Sequence, residues 1–354
     1  MGKLKIGVIG IGVIATTKHI SNLLTREDIE VTALCDVDTE KCVKANKDFG
    51  LHAKIYTDYK ELCENKELDV VHICTPNPLH CPMTLEALKN GKHVHCEKPI
   101  ACTYADAQKM ITAAKEAGKK LTSGLQWRYN AAPLKIKEMV QNGELGDIYY
   151  VKSQQLRPRR LPAYGVYTNK ALNGGGVLMD GGPHSIDLPM WLTDNYEVES
   201  VRGVTFDKMK DFPEGNDLGP WDPENFDVED TAMAMITMKN GMMIYMETAW
   251  ITNMMQEAPG VIASIAGTKA GVDMVGPTFE CSVRTTKIVD GKLTTEIKNL
   301  EEPVDMNAYD INHWIDAIQN GGEPAILPEQ AATVTRVIEA IYESAATGKT
   351  IFFD

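Results

Sequence analysis

The sequence predicts an α/β protein in two parts. Residues 1–125 form a doubly wound parallel sheet, and residues 126–354 form an α+β domain with a large, mostly antiparallel sheet. Three observations predict this. Short apolar runs alternate with helical stretches in the first part, as parallel strands joined by crossover helices do. A glycine-rich turn directly follows the first of these runs. In the second part, strand-like alternations are separated by short turns, which indicates hairpins.

Size and composition limit the classes of function. A chain of 354 residues, with 44% hydrophobic and 24% charged residues, is typical of a globular protein with two domains. Its net charge of −13 argues against a nucleic acid or an anionic membrane as partner. No apolar run approaches the ~20 residues that span a bilayer. The chain also enters its first strand at once, so we expect a cytoplasmic protein with no signal peptide and no membrane partner.

Cysteine and histidine usage predicts no metal centre. The eight cysteines include no CxxC pair, and seven of them lie in the first third of the chain. This favours reduced, buried thiols in a cytosolic protein. Metal-binding residue types occur at His80-Cys81 and in the run His93–Cys96. Zinc ligands usually come as closely spaced pairs on turns, so ordinary strand and loop histidines are the favoured interpretation.

The first strand leads into a dinucleotide fingerprint. Leu4–Ile9 has the composition of a buried parallel strand, and Gly10–Ala15 follows with the spacing GxGxxA before a helix from Thr16. The first glycine allows a tight turn, the second lets the backbone approach a pyrophosphate, and the alanine allows close packing of helix and strand. This pattern is that of a Rossmann domain. The residues of the turn that we expect to bind the cofactor are Gly10, Gly12, Val13 and Ile14.

A carboxylate at the end of the second strand favours NAD as the cofactor. Glu30–Cys35 reads as a strand and ends at Asp36. The separation from the fingerprint is close to the ~20 residues expected of a ribose-binding acid. Such a carboxylate accepts hydrogen bonds from the ribose 2′-hydroxyl and repels a 2′-phosphate, which disfavours NADP. The alternative is that Asp36 is only a turn residue.

Two further strand ends carry polar residues. A strand over residues 69–73 is followed by Cys-Thr-Pro-Asn-Pro-Leu-His, and a strand over 93–96 is followed by Glu97-Lys98-Pro99. Ligands bind at the carboxyl ends of the strands in open α/β sheets. We therefore expect a cofactor contact from the first loop, although it could be only a turn, and a functional lysine in the second. The cofactor-binding residues predicted here are Thr75, Pro76, Asn77, His80, Glu97 and Lys98.

The second part combines strands with a few helices. Strand patterns cover residues 148–153, 231–236, 242–247, 261–266 and 280–283, and helices are predicted over about 132–142, 183–192, 308–319 and 329–346. Methionines in these strands are more often core than contact residues. A methionine-rich sheet face is nevertheless a plausible oligomer surface. The acidic stretch 206–230, rich in proline and glycine, is expected to be solvent-exposed.

One helical stretch of the second part pairs an acid with an imidazole. Three glycines at 174–176 precede it, and Asp180, His184 and Asp187 recur at helical spacing, which places them on one face. A capped, solvated helix is the alternative, since an aspartate suits the N-terminal end of the helix dipole.

A basic and aromatic loop over residues 157–167 stands out in an acidic protein. Arginines bind carboxylates or polyol hydroxyls, and tyrosine rings stack on sugars. A solvated loop is the equally simple alternative. The substrate-binding residues that we predict are Lys98, Arg128, Tyr129, Arg157, Tyr164, Asp180 and His184.

The order of these motifs resembles the glucose–fructose oxidoreductase / inositol dehydrogenase / rhizopine-catabolism (Gfo/Idh/MocA) family over nearly the whole chain. Glu-Lys-Pro together with Asp-x-x-x-His carries the resemblance. It implies that Lys98 contacts the substrate hydroxyl and the nicotinamide, that His184 is the proton acceptor or donor, and that Asp180 orients the histidine or the substrate. It also implies a cis bond before Pro99 and a homodimer or homotetramer formed through the C-terminal sheet.

The activity that the resemblance implies is that of an NAD-dependent dehydrogenase. The substrate would be a secondary hydroxyl of a sugar, glycoside or cyclic polyol, or the corresponding ketone in reverse. A glycosidase or epimerase that recycles its NAD internally would use the same residues. A non-catalytic, nucleotide-sensing regulator is a third possibility, but it would have little reason to keep Lys98, Asp180 and His184 together.

Overall fold

A computed structural model describes residues 2–254, 262–275, 281–300 and 305–353. The chain folds into two compact units. The first contains Met1–Gln126 with Met306–Thr335, and the second contains Trp127–Asp305 with Arg336–Asp354. The division of the sequence into domains 1–125 and 126–354 stays a prediction.

Six parallel strands form the sheet of the first unit. They are β1 (Leu4–Ile9), β2 (Ile29–Cys35), β3 (Lys54–Tyr56), β4 (Val70–Ile73), β5 (His93–Cys96) and β6 (Leu121–Ser123). Their order is β3-β2-β1-β4-β5-β6, and every pairing is parallel. This is the order of a dinucleotide-binding sheet, so the predicted fold class is confirmed. The strand order reverses between β1 and β4, whose carboxyl ends flank the position where ligands bind in such sheets.

Eleven α-helices lie in the described ranges. They are α1 (Ser21–Leu23), α2 (Thr39–Asp48), α3 (Tyr59–Glu64), α4 (His80–Lys89), α5 (Tyr104–Ala117), α6 (Ala131–Gln141), α7 (Lys170–Asn173), α8 (Val177–Asp180), α9 (Gly182–Leu192), α10 (Met306–Asn320) and α11 (Pro328–Thr347). Short 3₁₀ helices cover Asn77–Leu79, Gln126–Tyr129 and Pro223–Asn225. Helix α5 ends at Gly118, which adopts the left-handed conformation at φ 60°.

The helix after the glycine turn differs from the expected α-helix. Ala15–Ile20 is a π-helix, and only then does α1 follow. Three consecutive residues of this segment, Lys18, His19 and Ile20, are fully buried. The π-helix is rare and often occurs at functional sites.

Nine strands form the sheet of the second unit. They are β7 (Ile148–Leu156), β8 (Val198–Phe206), β9 (Thr231–Met238), β10 (Met243–Ala249), β11 (Ile262–Gly267), β12 (Ala270–Met274), β13 (Ser282–Val289), β14 (Lys292–Asn299) and β15 (Ile351–Phe352). The order is β14-β13-β12-β11-β7-β10-β9-β8-β15. Strands β7 and β10 are parallel and the other neighbours antiparallel, so the predicted sheet is confirmed. Residues 261 and 280, where two strands were expected to begin, lie outside the described ranges.

The methionines of the second sheet divide between its two faces. In β9, Ala234 and Met238 are buried, whereas Met235 on the opposite face is 48% exposed. In β10, Met246 is buried and Met243 only partly so. Helix α9 packs against β7 and β10. The two faces therefore differ, and the face with Met235 is the more open one at β9.

The stretch 206–230 connects β8 to β9 and is mostly exposed, as its composition predicts. Trp221, Phe226 and Val228 are apolar exceptions: they are buried and pack with Leu161 and Trp250 in a small second core. Burial of these large apolar side chains anchors the segment. No helix in the described ranges is long and apolar enough to cross a membrane.

Candidate active site

The dinucleotide turn has the geometry that its glycines predict. Gly10 has a φ of 85°, and a Cβ there would lie 2.8 Å from the carbonyl oxygen of Cys74. Only glycine fits this position without strain. A Cβ on Gly12 would have no heavy atom within 4 Å, and Val13 is 66% exposed. The backbone around Gly12 is thus open to a ligand, which fits a pyrophosphate at the start of a helix.

The side chain of Asp36 forms a hydrogen bond to the same turn. Its Oδ2 accepts a hydrogen bond from the backbone N–H of Ile11 at 2.8 Å, and its Oδ1 accepts one from Asp38 at 2.9 Å. The carboxylate therefore fixes the turn at the end of β2. Each oxygen retains a lone pair for a ribose hydroxyl, because an ionised carboxylate accepts about four hydrogen bonds.

The loop after β4 is pinned by a buried histidine. Pro76 is exposed, and Thr75 and Asn77 are partly exposed, as cofactor contacts require. His80 is fully buried, with Nδ1 at 2.7 Å from the carbonyl oxygen of Pro99 and Nε2 at 2.9 Å from that of Thr75. Burial lowers the pKa of His80. We therefore revise its predicted role: the ring joins two loops and does not face a cofactor.

Lys98 and Glu97 follow β5 but have different surroundings. Lys98 is partly exposed, and its backbone N–H donates to Oε2 of Glu97 at 3.2 Å. Glu97 is buried, and its Oε1 lies 2.8 Å from Nζ of Lys18 and 2.9 Å from Nε2 of His19. The glutamate thus anchors the motif from within the unit, contrary to the predicted cofactor contact. The Lys98–Pro99 bond is cis, as expected.

A charged network that no sequence pattern indicates surrounds Glu97 in the first unit. Nζ of Lys18 also lies 2.9 Å from Oδ2 of Asp310, on α10. Burial alone would raise the pKa of Glu97, but the charge of Lys18 outweighs it and holds that pKa well below its usual range. In the same way, Lys18 and His95 lower the pKa of Asp310 to about 2 against the effect of burial. Both carboxylates are therefore ionised.

In the second unit, Glu229 holds the segment that carries Asp180. Its Oε1 accepts hydrogen bonds at 2.9 Å from the backbone N–H groups of Gly176 and Leu178 and from the hydroxyl of Tyr342. A Cβ on Gly176 would lie 2.0 Å from the carbonyl oxygen of Glu229. This glycine is therefore required by packing. Glu229 itself was missed, because nothing in the sequence links it to residues some fifty positions earlier.

Asp180 and His184 lie on either side of Gly181, where α8 gives way to α9. Oδ2 of Asp180 accepts a hydrogen bond from Nε1 of Trp250 at 2.8 Å and lies 4.0 Å from Nη1 of Arg157. The buried ring of His184 lies 5.9 Å from that of Trp127, centroid to centroid. Arg157 and Trp250 therefore belong to the surroundings of the predicted acid.

Arg128 has a structural contact that the sequence did not predict. It is buried and forms a bidentate ion pair with Asp187, with Nε–Oδ2 at 2.7 Å and Nη2–Oδ1 at 2.5 Å. Nη2 also donates to the hydroxyl of Tyr196 at 3.0 Å. These bonds hold α9 in place, and a contact of Arg128 with substrate stays a prediction. Tyr129 is buried as well, whereas Tyr164 is 53% exposed.

The first unit has the features of one class of protein. Its dinucleotide turn is open and lies at the switch point of the parallel sheet, an acid follows the second strand and a lysine follows the fifth. Together these features are typical of a dinucleotide-dependent oxidoreductase.

The chain belongs to the Gfo/Idh/MocA oxidoreductase family. Residues 4–125 match the family model described as "Oxidoreductase family, NAD-binding Rossmann fold", and residues 137–352 match "Oxidoreductase family, C-terminal alpha/beta domain". The resemblance seen in the sequence is therefore confirmed, and so is NAD as the cofactor.

Several similar proteins act on sugars or polyols. A D-glucoside 3-dehydrogenase of Escherichia coli strain K12 is 32% identical over 347 residues, which is 98% of this chain and 96% of that protein. An inositol 2-dehydrogenase of Salmonella typhimurium strain LT2 is 32% identical over 201 residues, covering 56% of this chain and 57% of that one.

Solved structures agree over the full length. An aldose–aldose oxidoreductase from Caulobacter crescentus complexed with glycerol has a TM-score of 0.82 and 28% identity, covering 99% of this chain and 100% of that one. A levoglucosan dehydrogenase in complex with NADH has a TM-score of 0.85 over 99% of both chains; at 21% identity it supports the fold alone.

Proposed function

We propose that the chain is an NAD-dependent dehydrogenase that oxidises a secondary hydroxyl of a sugar, with a glycoside as the favoured substrate, or reduces the corresponding ketone. The observation that carries the proposal is the match to D-glucoside 3-dehydrogenase along nearly the entire chain. Inositol dehydrogenases match between 56% and 69% of it. Cyclic polyols are therefore the second substrate class to test.

The first unit supplies the groups for the cofactor. The open backbone at Gly12 would receive the pyrophosphate, and Asp36 would accept the ribose hydroxyls. Thr75 and Asn77 would contact the remainder of the dinucleotide. When bound, NAD supplies the acceptor for the hydride that leaves the carbinol carbon of the substrate.

Three side chains carry the proton chemistry in this proposal. His184 takes the hydroxyl proton as the carbinol hydride leaves, a transfer for which imidazole is the side chain most often used. Lys98 stabilises the developing alkoxide with its positive charge. Asp180 orients His184 or the substrate, and Arg157 and Tyr164 bind the sugar or its aglycone from the basic loop.

Initial rates of NAD reduction test this proposal. Purified protein is assayed with a panel of glycosides, free sugars, sugar acids and inositols, with NADP in parallel. We expect reduction of NAD by a glycoside and little of NADP. Lys98→Ala should lower kcat by about 10²–10³-fold, the range for removing one transition-state donor. Lys89→Ala, at an exposed lysine of α4, is the matched control.

Three outcomes contradict the proposal. Equal rates for Lys98→Ala and Lys89→Ala would remove Lys98 from the chemistry. Conversion of a glycoside without net NADH formation would favour the glycosidase or epimerase that recycles its cofactor internally. Binding of NAD without conversion of any substrate in the panel would favour the regulatory protein.

We also propose a homodimer or homotetramer formed through the second sheet, and a cytoplasmic location. The open face at Met235 supports the first. The second is supported by the seven cysteines of the first unit, which are free thiols and are buried or partly buried. Light scattering tests the oligomer: a monomeric mass at micromolar concentration would refute it.

A further inference from the structure

Three buried histidines meet beside the β-sheet of the first unit. His72 on β4 and His95 on β5 are register partners, so both side chains leave the same face of the sheet. His19, on the π-helix, completes the group, with its ring centroid 5.0 Å from that of His72 and 4.9 Å from that of His95. All three side chains are fully buried. Neither the cofactor turn nor Lys98 explains their presence.

The carboxylates around the group fix where two of the protons lie. Nε2 of His19 is 2.9 Å from Oε1 of Glu97, and Nε2 of His95 is 3.2 Å from Oδ2 of Asp310. An ionised carboxylate only accepts hydrogen bonds, so each of these nitrogens carries a proton. When neutral, the rings of His19 and His95 therefore have their lone pairs on Nδ1.

With His72 included, the three rings have more nitrogen lone pairs than there are N–H groups to bind them. Nδ1 of His72 lies 2.8 Å from Nδ1 of His19, which requires the proton of that contact to come from His72. Nε2 of His72 and Nδ1 of His95 then have no hydrogen-bond partner in the described part of the chain. Two buried lone pairs without partners in one cluster are costly. An ion that accepts electron pairs would satisfy them, and it would replace the proton of His72 at the Nδ1 lone pair of His19.

We propose that His19, His72 and His95 bind a divalent transition-metal ion, with zinc as the best fit. Their candidate ligand atoms all lie within 4.8 Å of one another. Ligands of a tetrahedral zinc at the usual zinc–nitrogen length are about 3.3 Å apart, a separation that small ring rotations can reach. Imidazole nitrogens are ligands that zinc prefers, and three histidines with an open fourth position form a known zinc shell.

The outer contacts of the group are those of a metal site. Ligating histidines usually donate their second N–H to a carboxylate, which fixes the ring and raises its basicity. Glu97 and Asp310 have this relation to His19 and His95. Lys18 carries one positive charge, and Glu97 and Asp310 together carry two negative charges. When the imidazoles are neutral, this buried group has a net charge of −1. The surplus negative charge attracts a cation.

Such an ion would tie together three parts of the first unit. His19 lies in the helix that follows the dinucleotide turn, and His72 and His95 lie in the central strands. Asp310 adds α10 through the outer contact. The metal would thus fix the helix that carries the cofactor turn against the sheet. The prediction of no metal centre considered only ligands that lie close together in one segment of the sequence. The three histidines of this cluster come from three separate segments.

Metal content of the whole chain tests the proposal without reference to activity. The protein is produced without a histidine tag in medium supplemented with Zn²⁺ or, separately, with Co²⁺. After gel filtration in metal-free buffer, we expect about one equivalent of metal per chain, because metal bound during folding stays in a buried site. The Co²⁺ form should have the visible absorption of a nitrogen-ligated ion.

Variants identify the ligands. His72→Phe keeps a ring of similar size but has no lone pair, so its metal content should fall below about a tenth of an equivalent. His93→Asn is the matched control on β5, because its amide oxygen can replace Nδ1 as the acceptor for Lys120. It should keep the full complement. Asp310→Asn should weaken Zn²⁺ binding by about 10–100-fold, as loss of an outer carboxylate does.

Either of two results would overturn the proposal. The first is wild-type protein, folded by circular dichroism, that carries less than about a tenth of an equivalent after growth in both media. The second is equal metal content in folded His72→Phe and wild type. In both cases the cluster would be a proton-sharing network. If His72→Phe does not fold, the stoichiometry and Co²⁺ spectrum of the wild type decide the question.

Discussion

Lys98 and His184 are held in place by different means. In the first unit, Glu97 accepts the backbone N–H of Lys98, and its carboxylate is surrounded by charged and ionisable side chains from distant segments. In the second unit, the helix with His184 is fixed by one buried ion pair and by an acid, Glu229, that binds backbone N–H groups ahead of it. The acid of the Glu-Lys-Pro motif thus serves as the anchor of the neighbouring lysine.

The largest expected effects distinguish the role of Lys98 from that of Glu97, which accepts its backbone N–H. Lys98→Met should lower kcat by about 10²–10³-fold, because the positive charge is lost. The unfolding free energy should stay within about 0.5 kcal/mol of the wild-type value, because the hydrogen bond of Lys98 to Glu97 uses the backbone. Glu97→Gln should lower the unfolding free energy by about 3–5 kcal/mol, since it leaves Lys18 buried with less compensation. Steady-state rates and urea unfolding check both. A stable but inactive Glu97→Gln would contradict the division of roles.

The ion pair of the second unit gives the next effect. Arg128→Met leaves Asp187 charged and buried, so the unfolding free energy should fall by about 3–5 kcal/mol. Adding Asp187→Leu should recover much of that loss, because the uncompensated charge is then gone. Urea unfolding of the single and double variants checks this. Additive losses would mean that the two side chains do not act as a pair.

Glu229 should give a smaller effect. Glu229→Ala removes the acceptor of three hydrogen bonds and should cost about 2–4 kcal/mol of unfolding free energy. Glu229→Gln keeps an oxygen in the position of Oε1, so its loss should be under about 1 kcal/mol. Thermal and urea unfolding distinguish the two. Equal losses would show that the charge of Glu229, and not its acceptor oxygen, holds the segment.

The smallest effect is one of pH. Burial raises the pKa of Glu229 above its ordinary value of 4.5. The folded state therefore binds this proton more tightly than the unfolded state, and the contribution to stability is lost as the pH rises through the raised pKa. Between pH 4.5 and neutrality, wild type should lose stability relative to Glu229→Gln. A constant difference over that range would contradict the raised pKa.

The local parts of the fold and site could be predicted from the sequence. The parallel strands, the turn at Gly10 and the position of Asp36 and Lys98 at strand ends depend on neighbouring residues, and short-range patterns report them well. The cis bond before Pro99 was implied by the family resemblance and is present.

The parts that depend on distant partners could not be predicted. Arg128 lies between two aromatic residues, a pattern that suits a sugar site as well as a buried pair, and nothing in it indicates the contact with Asp187. Lys18 and His19 look like ordinary helix residues until Glu97 and Asp310 are placed beside them. The exposure of the stretch 206–230 was predicted, but the burial of Trp221 and Phe226 within it was not, because composition does not reveal which aromatic residues pack in a core.

Asp310 has a consequence for how the protein is made. All six strands of the first unit leave the ribosome long before residue 310. At that stage Lys18 can contact Glu97 but not Asp310. Domains generally fold in order of synthesis, but Lys18 and His95 lack their contacts with Asp310 until helix α10 has emerged. The last folding step of this unit therefore waits for almost the whole chain, and a fragment that stops before α10 would expose an incomplete unit to chaperones and proteases.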